Sequence, residues 1–145
     1  MDNIERSTDP LAISTWKHGE IANHAVAAIF SRGGTSLDAV EAGCRAVEED
    51  PDIRSVGLGG APDISGEVTL DASFMDWNGN VGSVACMKDI VLAASVARKV
   101  MENTVHVMLG GEGAKQFAIQ HGFEETDLLT DKSREEWKKY LENIH

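Results

Sequence analysis

Val68-Thr69-Leu70-Asp71-Ala72-Ser73-Phe74-Met75-Asp76-Trp77-Asn78-Gly79-Asn80-Val81-Gly82-Ser83-Val84-Ala85-Cys86-Met87 decides the fold class. Val68, Leu70, Ala72 and Phe74 alternate with Thr69, Asp71, Ser73 and Met75, which is the two-residue period of a strand with one buried face. Asn78-Gly79 follows, the strongest hairpin turn signal in the chain. The return strand then runs from Asn80 to Cys86 or Met87. An antiparallel pair is expected in the middle of the chain.

Upstream, Leu11 to Trp16 reads as a short strand. From Glu20 to Arg32 the spacing turns helical, with Ile21, Ala25, Ala28 and Ile29 on one face and Phe30 beside them. Gly33-Gly34 supplies the positive-φ residues that end many helices. Thr35-Ser36-Leu37-Asp38 opens the next helix with a capping-box arrangement, Leu37, Val40, Cys44 and Val47 repeat along it, and Pro51 stops it. Two helices joined by two glycines predict a helical hairpin. Residues 52–66 form a loop rich in glycine. Downstream, Asp89 is expected to cap a third helix with Leu92, Val96 and Val100 inward and Arg98-Lys99 outward. Val105 to Leu109 predicts a strand, Ala114 to His121 a helix, and Ser133-Arg134-Glu135-Glu136 a capping box that starts a last helix carrying Trp137 and Leu141. This order predicts an α+β layered sandwich rather than a doubly wound parallel sheet.

The 145 residues suffice for one domain with its own core, so residues 1–145 are expected to form a single domain. Thirteen basic against 24 acidic side chains give a formal net charge of −11, the wrong sign for displacing counterions from nucleic acid or docking on an anionic membrane. No apolar run approaches the roughly 20 residues of a spanning helix. Met1-Asp2-Asn3-Ile4-Glu5-Arg6 shows no signal peptide, so the cytoplasm is the expected compartment; a leader removed on the way to a periplasm or lysosome would leave the same start. Cys44 and Cys86 form no C-x-x-C pair and are expected to behave as small buried hydrophobes.

The chemical motifs are few. Gly110-Gly111-Glu112-Gly113-Ala114-Lys115 has a glycine-rich look, but Gln116 stands where a P-loop needs Ser or Thr and where a dinucleotide fingerprint needs its third glycine. It reads as a tight turn. His18, His24, His106, His121 and His145 fall at no recognised metal-ligand spacing, so no metal and no cofactor are expected. The acids from Glu124 to Glu142 alternate with Lys132, Arg134, Lys138 and Lys139 as on a solvated helix face. No serine, cysteine or threonine has a visible base partner. Two residues stand out by context. Ser55 opens the loop of Gly57, Gly59 and Gly60, glycines that let a ligand or another backbone come close. Trp16 ends the first predicted strand, where its ring could line a pocket or pack in the core.

Several segments in order carry a resemblance: Ser14-Thr15-Trp16, Arg54-Ser55-Val56-Gly57-Leu58-Gly59-Gly60-Ala61-Pro62-Asp63, Gly66-Glu67-Val68-Thr69-Leu70-Asp71-Ala72, Gly82-Ser83-Val84-Ala85-Cys86-Met87, Ser95-Val96-Ala97-Arg98, Val100-Met101-Glu102, His106-Val107-Met108-Leu109 and Gly113-Ala114. From about Leu11 to Trp137 the chain resembles the α subunit of the glycosylasparaginases (aspartylglucosaminidases), which are N-terminal nucleophile hydrolases. The resemblance implies a four-layer αββα sandwich cut from one precursor at an Asp–Thr bond, with this chain as the α half. The freed threonine heads a separate β subunit and is the nucleophile, with its own amino group as base. The implied substrate is N4-(β-N-acetylglucosaminyl)-L-asparagine, and the implied assembly is a dimer of αβ pairs. Trp16 matches a tryptophan that walls the substrate pocket. Ser55 matches a serine that helps orient the threonine. The substrate-gripping residues and the oxyanion hole belong to the β subunit.

The chain departs from the family pattern at Thr104-Val105 and at Val91-Leu92-Ala93-Ala94, where proline is frequent. It also ends at Ile144-His145 without the aspartate that precedes the cut, so the junction falls beyond His145 or differs. The rival expectations are a plant-type L-asparaginase or isoaspartyl peptidase, which usually has asparagine at the position of Ser55 and lacks Trp16, and a non-catalytic binding domain on the same scaffold.

Overall fold

The computed structural model describes residues 9–144. The reading of Met1–Arg6, His145 and the junction beyond it lie outside these residues. Five helices and three strands follow in the order α1 Gly19–Phe30, α2 Ser36–Glu48, β1 Leu70–Met75, β2 Val81–Met87, α3 Ala93–Asn103, β3 Leu109–Gly110, α4 Gly111–Gln120 and α5 Asp131–Asn143. The architecture is mixed α+β, with one sheet ordered β1-β2-β3.

The central hairpin forms as its pattern predicts. β1 and β2 pair antiparallel through a turn in which Gly79 takes φ +83° and donates its N–H to Asp76 O at 3.2 Å. Leu70 pairs with Met87 but Ala72 pairs with Val84, so β2 carries one extra residue, a β-bulge. Cys86 sits there at φ +52°, and the Asp71 carboxylate accepts its N–H at 2.7 Å in place of a ladder bond. Cys86 is therefore exposed rather than buried. The bulge turns its side chain out.

Helix α3 lies across β1 and β2, α2 flanks α3, α1 packs on α2, and α4 packs on β2. Leu70, Phe74, Val84, Met87, Ile90, Val96 and Val100 fill the core, joined by Ala114 and Ala118 of α4. At Gly82 a Cβ would lie 2.2 Å from Ala97 O, so β2 and α3 touch backbone to backbone. Asp71, Ser73 and Met75, the alternate residues of β1, are exposed on the other face.

The helical hairpin is present. Gly33 takes φ +75° while Gly33 and Gly34 donate to Phe30 O and Ile29 O, the paired bonds of a Schellman end. Thr35 and Asp38 make the full capping box. The inward face of α1 differs from expectation. Val26 is buried against α2, whereas Ile21 is 39% exposed and Ala28 is exposed. The crossing at Gly43 is close, with a Cβ there only 3.0 Å from Val26 Cγ2 and 3.3 Å from Ala22 O, so the face of α1 turned to α2 is the one that carries Ala22 and Val26.

Two predicted strands shrink or vanish. Residues 11–16 carry no ladder, with Leu11 and Ile13 more than four-fifths exposed. Of 105–109 only Leu109 pairs, with Gly110 extending β3 parallel to β2, while Val105 is 96% exposed. Apolar patterning prepares a strand, but a ladder also needs a neighbour, and among the described residues 11–16 and 105–108 have none.

Several helix ends are also corrected. Asp89 takes φ +59° and pairs with Lys115 at 2.7 Å, and the position before α3 is Leu92. Arg98 is not outward: its side chain is 18% exposed and bonds Asp38, Glu41 and Glu102. Helix α4 starts at Gly111, a turn before Ala114. Helix α5 starts at Asp131 because Thr130, not Ser133, is its cap; the Thr130 hydroxyl accepts from Ser133 N–H, and Ser133 is buried. No helix among the described residues is long and apolar enough to cross a membrane.

Candidate functional site

The loop after α2 is held by backbone contacts. Leu58 N–H donates to Glu48 O at 2.8 Å, Gly59 N–H to Leu128 O at 2.7 Å, and Ala61 N–H to Arg54 O at 2.9 Å. Gly57 takes φ +70°, and a Cβ on it would lie 2.0 Å from Glu48 O. At Gly59, with φ +78°, a Cβ would lie 2.7 Å from Pro51 O. What comes close to these glycines is main chain, that of Glu48 at the end of α2 and of Pro51 beyond it. The clamped glycines leave Ser55 exposed at the loop's opening, beside Arg54, which pairs with Glu136 of α5 at 2.8 Å.

Trp16 lies in the turn that leads into α1. Its backbone takes φ +67°, a conformation few non-glycine residues adopt, and its carbonyl accepts from Gly19 N–H at 3.1 Å. The ring is 83% exposed, so it is not a core residue. A bulky residue held in a left-handed conformation with its side chain in solvent marks a constrained position.

Trp16 and Ser55 line one open cavity of about 590 Å³, with Lys17, His18, Asp50, Asp52 and Arg54. The reason is architectural. Helices of 12 and 13 residues, each rising about 1.5 Å per residue, form antiparallel arms of nearly equal length. The start of α1 therefore comes level with the end of α2, and the residues flanking those ends become neighbours. A second cavity of about 420 Å³ adjoins on the other side of Trp16 and His18, lined by Ser14, Thr15, Glu48, Asp71 and Ser73 among others.

Glu48 was missed by sequence reasoning. It is 4% exposed, and its Oε1 accepts the Ala94 N–H at 2.9 Å, capping α3 from 46 residues away. Burial pushes its carboxyl up to about 7, against the opposing pull of that N–H. In the sequence it stands in the run Glu48-Glu49-Asp50, which looks like an ordinary solvated helix end, so no local signal marks it. Cys44 is half-buried, as a small hydrophobe would be, and burial followed by the nearby Glu48 and Glu41 charges pushes its thiol up. Among the described residues no cluster of three or more His, Cys, Asp or Glu is disposed to hold a metal ion. What the two sequence-predicted positions present at this cavity is an exposed indole ring and an exposed hydroxyl.

Comparisons with known proteins place the chain in a family. The family model described as asparaginase matches residues 3–144, and the chain belongs to that family. It is 55% identical over 143 residues to an N(4)-(β-N-acetylglucosaminyl)-L-asparaginase of Elizabethkingia miricola, an alignment covering 97% of this chain and 42% of that protein. It is 44% identical over 126 residues to the protein of the same name from Rattus norvegicus, covering 86% of this chain and 36% of the relative. The Mus musculus protein is 42% identical over 127 residues, 87% of this chain and 36% of its own length. The chain thus spans about two fifths of the length of the curated relatives it matches.

Proposed function

We propose that this chain is the α subunit, a single domain, of an amidohydrolase that cleaves the β-amide bond of N4-(β-N-acetylglucosaminyl)-L-asparagine, releasing aspartate and a glycosylamine. The observation that carries this reading is the meeting of Trp16 and Ser55 at one cavity. These are the two positions at which the resemblance assigns a substrate wall and an orienting hydroxyl. The names of the relatives, at 55% and 44% identity, support the choice of substrate.

In this reading the attacking group is the hydroxyl of a threonine that begins a second polypeptide, freed by self-cleavage of a precursor. A hydroxyl needs a base to take its proton, and the threonine's own α-amino group, with an ordinary pKa of about 8, serves near neutral pH. Attack on the side-chain carbonyl gives a β-aspartyl ester and expels the glycosylamine; water then hydrolyses the ester. Donors on the second polypeptide stabilise both tetrahedral states. Ser55 orients the threonine, and Trp16 walls the substrate, so that the reacting atoms meet within the narrow tolerance that rate requires. No cofactor enters the reaction.

The same reading gives the exposed surfaces a purpose. Asp71, Ser73 and Met75 on the open sheet face, with the apolar runs 11–15 and 105–108, would be covered by the second polypeptide, whose own sheet and helices complete a four-layer αββα sandwich. Two such pairs would form the working dimer. The test is the intact gene product. Mass spectrometry should find a second polypeptide beginning with threonine, and kcat/KM should be highest on glycosylasparagine. Preference for β-aspartyl dipeptides or free asparagine would transfer the chain to the plant-type asparaginases, and an uncut, inactive protein would make it a binding domain.

A further inference from the structure

Glu48 is the one buried carboxylate among the described residues, and separate segments are tied to it. Its main-chain carbonyl accepts the Leu58 N–H and seats Gly57, which fixes the loop that carries Ser55. Its Oε1 accepts the Ala94 N–H in the first turn of α3. It also lines the cavity that shares Trp16 with the cavity of Ser55. Its Oε2 has no hydrogen-bond partner, and neither has the Ser95 hydroxyl in the same turn of α3.

An ionised carboxylate here would leave a charged oxygen buried without a protein partner, an arrangement proteins avoid. A neutral acid fits the contacts better: Oε1 is the carbonyl that accepts from Ala94, and Oε2 carries the proton. The charges that face the group do not neutralise it. Glu41 on α2 and Glu49 just beyond its end oppose its ionisation and Arg45 favours it. Cys44 of α2, Asp71 of β1 and His18 ahead of α1 share its cavity. Helix α3 offers only its N–H end.

We propose that Glu48 is a positioning residue of the hydrolase site, working as an uncharged acid that locks the Ser55 loop to the first turn of α3. It touches no substrate and acts through Ser55. The inference rests on the function proposed above and assigns one further side chain to that site.

The test uses the intact protein, second polypeptide included, with glycosylasparagine as substrate. Glu48→Gln keeps the acceptor and replaces the neutral O–H by a neutral amide, so its kcat should stay within about threefold of wild type. Glu48→Ala should lose about tenfold or more in kcat with KM changed less than about twofold, because alignment rather than substrate grip is lost. Should the alanine variant not fold, Glu48→Asp, whose carboxyl is withdrawn by one methylene from Ala94, is expected to show the same kcat loss. A glutamine variant as impaired as the alanine one overturns the uncharged role, and wild-type kcat in the alanine or aspartate variant overturns any positioning role. A wild type that turns over no glycosylasparagine, asparagine or β-aspartyl dipeptide sinks the proposed function, and this inference with it; an active wild type with a dead glutamine variant sinks this inference alone.

Discussion

Replacing Gly57 by alanine probes the seat of the Ser55 loop directly. The new methyl would sit 2.0 Å from Glu48 O, 2.5 Å from Glu48 Cα and 2.6 Å from Glu48 C, all backbone atoms that cannot swing aside. The φ of +70° adds about 1–2 kcal/mol for a residue with a Cβ. Moving the loop away to relieve the clash breaks the Leu58–Glu48 bond, and an orphaned buried N–H costs about 1–3 kcal/mol. Together the loss is about 4 kcal/mol, and at roughly 2–4 °C per kcal/mol the melting temperature falls by about 8–16 °C. Gly79→Ala is the matched control, since Gly79 has φ +83° but nothing within 4 Å of its added Cβ. It should show the left-handed penalty alone. Melting curves of both variants in the intact protein, followed by circular dichroism, give the difference due to contact. If Gly57→Ala melts no lower than Gly79→Ala, the loop is not wedged against α2 and the account of how Ser55 is placed is wrong.

Trp16→Ala should lower kcat/KM on glycosylasparagine by about tenfold or more while moving the melting temperature by less than about 2 °C, because an exposed ring contributes little to stability. A matching collapse of both would make Trp16 a packing residue. Glu48 and Asp38 predict opposite limbs in a melting profile against pH. The Glu48 carboxyl is raised from 4.5 to about 7, so its contribution is full below about 4.5 and is lost as pH rises through about 7, a change of about 3 kcal/mol that Glu48→Gln should remove. The Asp38 carboxyl, held at about 2 by the Thr35 hydroxyl and then Arg98, contributes above about 3.8 and loses that contribution as pH falls through about 2. Glu48→Gln should thus flatten the neutral limb and leave the acid limb in place. Arg98→Ala leaves Asp38 and Glu41 beside each other without their shared partner, which lies 2.8 and 2.7 Å from them, and should cost about 1–2 kcal/mol in urea unfolding because the cluster is only part-buried; an unchanged unfolding midpoint would reduce the cluster to surface decoration.

Local chemistry was legible in the sequence wherever a few neighbouring residues settle it. Asn78-Gly79 made its turn, Gly33-Gly34 its Schellman end, and Thr35 with Asp38 its capping box. What failed depended on distant partners. Leu11 to Trp16 and Val105 to Met108 have strand-like apolarity, yet periodicity records which face is to be covered and says nothing of what will cover it. The face of α1 was misread because its apolar residues surround the helix, and the choice of Val26 is made by Gly43 on the next helix. The N-terminus of α3 receives its bond from Glu48, so Asp89, the obvious local cap, was free to turn out toward Lys115. Trp16 and Ser55 could be singled out from the chain, but their meeting at one cavity follows from the matched lengths of two helices and their crossing. Glu48 gave no sign, since burial is a property of the assembled fold.

The tight crossing at Gly43 has a consequence for how this scaffold can change. Trp16 and Ser55 sit at the tips of two arms whose spacing is set some way back along their length, where Ala22, Val26 and Gly43 interlock, much as the gape of a pair of callipers is set at its pivot. A methyl group added at Gly43 would press on Val26 and Ala22, which must give by a few tenths of an ångström, and so shift the arms slightly while leaving both tips chemically intact. Change at the mouth can therefore begin away from the two residues at its tips.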